Sequence, residues 1–187
     1  MQPPDRLTVA ACIGCGSIGH GGTCESGCGV EERFDLVPAE EHDELVAWTE
    51  ACHARADALR AAVRPLTAEA PAGLETAYRE LQRAARTALR EHPPVALPEP
   101  APVSTTWWCP DCGGLEAPQP CIGICVWRPV QWVAAARYDE ARAAAQRAVA
   151  QETAWRAVAR RAATVTPRAG QWEGGWAALA SVVPPDV

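Results

Sequence analysis

The chain has 187 residues, 48% of them apolar, and a formal net charge of −6. That length fits one ordinary domain or two small ones. The acidic balance excludes a surface that attracts nucleic acid over its whole area, and no apolar run approaches the roughly 18 residues of a membrane span.

Much of the apolar fraction is Ala, and all 17 Lys-or-Arg positions are Arg. A core built this way is thin, and small units with thin cores are usually held by a disulfide, a metal or a partner. The nine cysteines are the obvious material. The opening stretch, "MQPPDRLTVAACIGCG", has no sustained apolar h-region of the secretory kind. The expectation is a soluble cytoplasmic protein with residues 1–11 as a flexible tail. In a reducing compartment, closely paired cysteines act as metal ligands rather than structural disulfides.

The first cysteine segment runs from Cys12 to Cys28, "CIGCGSIGHGGTCESGC", spaced C-x2-C-x8-C-x3-C. A helix follows over Pro38 to Val63, with apolar residues at Leu45, Trp48, Cys52, Ala56, Leu59 and Val63. Steps of three and four define one buried face. Glu40, Glu41 and Asp43 crowd its first turn, where the macrodipole favours anions, and Pro65 stops it. A second helix carries Leu74, Tyr78, Leu81, Ala85 and Ala88 on one face and ends before His92. The proline-rich stretch 93–106 reads as a stiff, extended linker rather than a packed loop.

The pattern then repeats. "CPDCGGLEAPQPCIGIC", Cys109 to Cys125, has the same cysteine spacing 97 residues later with almost none of the same filler. Pro129 can open a helix as its first residue, running to about Thr164, and a shorter helix follows over about Gln171 to Val182. "HDELVAW" from His42 matches "YDEARAA" from Tyr138, and "PAGLETAYREL" matches "PRAGQWEGGWAAL". Constant-offset similarity of this kind is the mark of an internal repeat. The expected fold is mostly α: two tandem copies, 12–92 and 107–187, of a four-cysteine knuckle and an antiparallel helical hairpin. The two hairpins are expected to dock as a four-helix bundle. Almost no segment alternates with period two, so no continuous sheet is expected.

Thiolates are soft ligands suited to zinc, iron–sulfur clusters and Cu(I). Gly16 and Gly113 follow the second thiol of each C-x2-C pair, where a knuckle needs a permissive backbone. Cysteines four apart point the same way on a helical turn. The candidate ligands are Cys12, Cys15, Cys24 and Cys28, and Cys109, Cys112, Cys121 and Cys125. Each quartet is expected to close as a tetrahedral site from its own segment. A closed all-thiolate set has no open position for substrate and reads as structural. His20 stands opposite Ala117 and reads as a loop residue, and Cys52 reads as a core residue. Trp107, Trp108, Trp127 and Trp132 bracket the second cysteine segment and are expected to roof it and join the helices.

"CPDCGG" resembles the first knuckle of zinc-knuckle and zinc-ribbon proteins, and "CIGCGS" is a looser match. The likeness spans about seventeen residues per copy and implies two Zn2+ ions. The second pair departs from the group's C-x2-C, so two [4Fe-4S] clusters stand as the alternative. No Gly-rich phosphate loop, nucleophile elbow or cysteine–base pair is present, so no enzyme is expected. The reading is a non-enzymatic metal-binding adaptor with a protein partner and no membrane. The alternative is an Fe–S protein in electron transfer or metalloenzyme maturation, for example of the hydrogenase type. A third reading, nucleic-acid binding through the stripe of Arg79, Arg83, Arg86 and Arg90, is not favoured, because Glu75 and Glu80 lie within pairing distance along the helix.

Overall fold

The computed structural model describes residues 6–12, 18–19, 32–66, 69–108, 115–116, 127–168 and 170–184; of 6–12, 18–19, 32–34, 105–108, 115–116 and 127–130 it describes the backbone alone. The regular structure is mostly helical, with four helices and six short strands among the described residues. The chain divides into two compact units, 1–47 with 98–143 and 48–97 with 144–187. The division expected from the repeat was 12–92 and 107–187. Each unit takes strands or helices from both tandem segments.

The first unit holds β1 (Arg6–Cys12), β2 (Ile18–Gly19), β3 (Glu32–Pro38), β4 (Ser104–Trp108), β5 (Leu115–Glu116) and β6 (Trp127–Ala134). They close into a barrel in the order β1-β2-β5-β4-β3-β6, with every pairing antiparallel. The expectation of no sheet was wrong. β2 and β5 have two residues each, too few for alternation to register, and closure removes the edges that an open sheet of short strands would leave. Residues 6–11, expected as a flexible tail, form most of β1. Pro129, expected to open a helix, lies in β6 opposite Ala10. A proline pushes the residue before it to extended backbone, and Arg128-Pro129 obeys that rule; helix α3 (Ala135–Thr164) begins only afterwards.

Exchanging β1 with β4, β2 with β5 and β3 with β6 returns the same strand order and neighbours. Two pairs lie on the axis of that exchange. Gly19 faces Glu116, 97 residues on, and Val37 faces Val133, 96 residues on. Leu36, Val37 and Val133 are buried beside Trp132.

The expected stiff linker is packed where it enters this unit. Ala101 is buried, and its N–H donates to the Tyr138 hydroxyl at 2.9 Å. Arg142 donates to the Pro98 carbonyl at 3.1 Å. Tyr138→Phe leaves the Ala101 N–H unpaired out of water, so it is expected to lower stability by about 1–3 kcal/mol in a denaturant titration; an unchanged midpoint would mean that the bond contributes nothing.

The second unit is built from α2 (Leu74–Glu91), α4 (Trp172–Ala180) and the parts of α1 (Ala39–Val63) and α3 that run from Trp48 and from Ala144. Its core joins Ala56, Leu59 and Val63 of α1, Tyr78, Leu81 and Ala85 of α2, Trp155, Val158, Ala159 and Ala162 of α3, and Trp176 and Leu179 of α4. The residues of α1 and α2 are those of the apolar stripes read from the sequence, and all four helices share one core. Tyr78 meets Trp172 and Trp176 edge-on, with ring centroids 5.7 and 6.4 Å apart, an arrangement the ring quadrupoles favour.

Gly174 and Gly175 look alike in sequence but differ in role. A methyl on Gly174 meets nothing within 4 Å, whereas one on Gly175 overlaps the Pro167 ring. Gly174→Ala is therefore expected to stabilise by up to ~1 kcal/mol through helix propensity. Gly175→Ala is expected to destabilise by about 1–3 kcal/mol through overpacking. Thermal melts of the two variants moving in the same direction would refute this assignment.

Candidate metal centre

Seven candidate ligands, Cys15, Cys24, Cys28, Cys109, Cys112, Cys121 and Cys125, lie outside the described residues, as does His20; Cys12 is described by its backbone as the last residue of β1. What the strands fix is where each cysteine segment leaves and re-enters the barrel. Cys12 and Cys15 fall at and after the end of β1, before β2, and Cys24 and Cys28 fall between β2 and β3. Cys109 and Cys112 fall between β4 and β5, and Cys121 and Cys125 between β5 and β6. Each quartet thus interrupts the strand order at the same two places.

The ladders add register. Cys12 stands opposite Trp127, the first residue of β6, and Cys125 comes two residues before Trp127. In the matching ladder Trp108, the last residue of β4, stands opposite Glu32, the first of β3. Cys109 follows Trp108 directly. Trp132 is buried. The expected roofing role of Trp107, Trp108 and Trp127 concerns side chains outside the description.

Among the described residues, no group of three or more His, Cys, Asp or Glu side chains is set to hold a metal. The second unit does hold a polar cluster that sequence reading missed. Cys52 is fully buried, and its thiol donates to Glu152 Oε2 at 3.1 Å. Arg55 Nε donates to the same oxygen at 2.9 Å. Arg156 Nη2 donates to Glu152 Oε1 at 2.5 Å and to the His92 carbonyl at 2.7 Å. The Arg55 guanidinium also lies over the Trp48 ring, 5.7 Å from its centroid.

Burial, and then the bond to the Glu152 carboxylate, push the Cys52 thiol up to about 11. At neutral pH it stays protonated and serves as a hydrogen-bond donor to Glu152. Burial alone would raise the Glu152 carboxyl, but the hydrogen bonds from Arg156, Cys52 and Arg55 outweigh it and hold it below its ordinary value. The cluster is a satisfied carboxylate in a helical core, and its chemistry is structural. Cys52 stands where the sequence put it, on the apolar face.

The arginine stripe is partly engaged within the chain. Arg79 pairs with Glu75 one turn earlier. Arg86 donates to the Ala163 carbonyl at 3.0 Å, near the end of α3, where carbonyls lack helical partners. Arg83 and Arg90 are exposed.

No family model matches the chain, and no curated protein or solved structure matches it.

Proposed function

We propose that this is a non-enzymatic metal-binding protein in which eight thiolates hold two Zn2+ ions and a helical unit serves as the docking face for a protein partner. The observation that carries it is the twofold occurrence of C-x2-C-x8-C-x3-C at a fixed offset, each copy breaking the strand order between equivalent elements. The filler between the cysteines differs while the spacing stays, as expected where the thiols themselves are what the fold needs.

The donor set fits the metal. Eight soft ligands make two closed tetrahedral sites of four sulfurs each. A barrel whose narrowest strands have two residues has little ladder to hold it, and a structural zinc contributes about 10–16 kcal/mol in small modules. The residues that hold the metal are the eight cysteines; the chemistry it supplies is cross-linking, with no open coordination position for a substrate.

Elemental analysis of protein purified under anaerobic conditions tests the reading. About two zinc ions per chain and no visible colour are expected for eight thiolates in four-coordinate sites. Iron with acid-labile sulfide and a brown solution would replace this reading with the Fe–S alternative, and metal-free folded protein would end both.

A further inference from the structure

We propose that the helical unit binds a small organic carboxylate with an apolar body, in a cavity of about 490 Å³ where α1 and α4 end beside Trp155 of α3. Every residue that lines the cavity belongs to the second unit, which contains no candidate ligand thiol. Binding there is therefore independent of the metals.

The wall of the cavity is apolar and held in place. Val63, Leu66 and Trp155 line it and are buried, and Val183 packs against the same core. Pro65 stops α1, and the chain then folds back on it: the Leu66 N–H donates to the Val63 carbonyl at 2.9 Å. At the end of α4 the Val183 N–H donates to the Ala180 carbonyl at 3.3 Å. Both apolar side chains are thus carried by turns bonded to the helices they follow, and the cavity is formed before any ligand arrives. Its size falls within the range of about 300–1,000 Å³ typical of small-molecule sites, which are mostly apolar with a few placed polar groups.

The rim supplies those polar groups. Asp57, Arg60 and Arg64 line the cavity at steps of three and four residues, so they follow one face of α1 and the turn beyond it. The Arg60 guanidinium lies over the Trp155 ring, 5.7 Å from its centroid, a contact that holds the cation against the apolar wall. Arg64 is exposed, and among the described residues its guanidinium has no carboxylate partner. Two guanidiniums and one carboxylate leave one positive charge over. A monoanion balances it, whereas a dianionic phosphate overshoots and is repelled by Asp57. A planar guanidinium also matches a carboxylate with two parallel N–H bonds.

The dipole at the end of α1 favours cations there, which accounts for two arginines but not for the hollow beneath them. A bare ion would fill the rim and leave the wall of Val63, Leu66, Trp155 and Val183 in water. Only a ligand that joins a negative group to an apolar body satisfies both. Ala61 lies on the same face, is exposed, and lines the cavity with no more than a methyl group. A larger side chain there would close the hollow from the solvent side without entering the core.

NMR titration of the full chain with three probes tests the proposal. Phenylacetate has the charge and the body, phenylacetamide the body without the charge, and acetate the charge without the body. Phenylacetate is expected to shift the Val63, Leu66 and Val183 methyl signals and the Trp155 indole signal together, and to saturate. Phenylacetamide, which loses the charge-assisted bonds, and acetate, which loses the apolar contact, are each expected to bind about tenfold more weakly or worse. Arg64→Gln is expected to weaken phenylacetate about tenfold and to leave phenylacetamide unchanged. Ala61→Phe is expected to abolish binding of both while helical circular dichroism stays at the wild-type level. Equal affinity for phenylacetate and phenylacetamide, a response that never saturates, or phenylacetate binding indifferent to both substitutions overturns the proposal.

Discussion

Glu152→Ala is expected to destabilise the protein by about 3–5 kcal/mol, the usual cost of removing one partner from a buried ion pair. Whole domains are stable by only about 5–15 kcal/mol, so the variant should stand close to unfolding at 37 °C in roughly the manner of other large core defects. The loss comes from what stays behind. Arg156 is buried, Arg55 nearly so, and the Cys52 thiol loses its acceptor. Replacing Arg55, Glu152 and Arg156 together by apolar residues of similar volume should recover much of the loss, since no uncompensated charge then remains. A denaturant titration in which the triple variant is no more stable than Glu152→Ala would refute this account of the cluster.

The same cluster sets two limits on pH. The Glu152 carboxyl is held below its ordinary value, so its contribution is present above the ordinary carboxylate range and is lost as pH falls through its folded value. The Cys52 thiol is raised to about 11. Its contribution is complete below the ordinary thiol value and is lost as pH rises from there through about 11. Glu152→Ala should therefore flatten the acid limb of the stability profile, and Cys52→Ala the alkaline limb.

The second large effect concerns the thiols outside the helical core. Cys112→Ser should cost one metal centre, and a structural zinc is worth about 10–16 kcal/mol in small modules, comparable with the stability of a whole domain. The damage should fall on the strands that the cysteine segments connect. The second unit has a core of its own, from Ala56 to Leu179, and contains no candidate ligand. Helical circular dichroism, including that of the 40–91 hairpin, should largely survive while the emission of Trp107, Trp108 and Trp127 changes. Complete loss of the helical signal would show that the helices depend on the metal as well.

The first two helices were legible because each carries a stripe of steps of three and four ended by a Pro or preceded by a Gly. Pro65 ends one helix, and Gly73 and Gly170, at φ 70° and 81°, precede α2 and α4. A left-handed backbone of that kind suits glycine. The error at Pro129 came from reading proline as a helix opener when its effect on Arg128 argues equally for a strand. The barrel was hidden because closure is a property of six strands together, and none of them contains a long alternating run. "RLTVAAC" does alternate Leu7, Val9 and Ala11, but three apolar positions beside a cysteine segment are overshadowed by the thiols.

The Glu152 cluster left a signal that was overlooked. In α3 the buried stripe runs Ala145, Ala148, Glu152, Trp155, Ala159 and Ala162, so a carboxylate occupies a core position with Arg156 one turn on. Cys52 occupies the matching place on the α1 stripe between Thr49 and Ala56. A charge on an apolar stripe requires a partner out of water, and Arg55 and Arg156 are those partners. Surface pairs, such as Arg79 with Glu75, are exposed and contribute little by comparison.

X-ray absorption at the zinc edge of the purified protein tests the central claim most directly. The account predicts a single shell of about four sulfurs at roughly 2.3 Å, with no nitrogen or oxygen neighbour. A shell containing nitrogen or oxygen, or an absence of zinc from the folded protein, would contradict it.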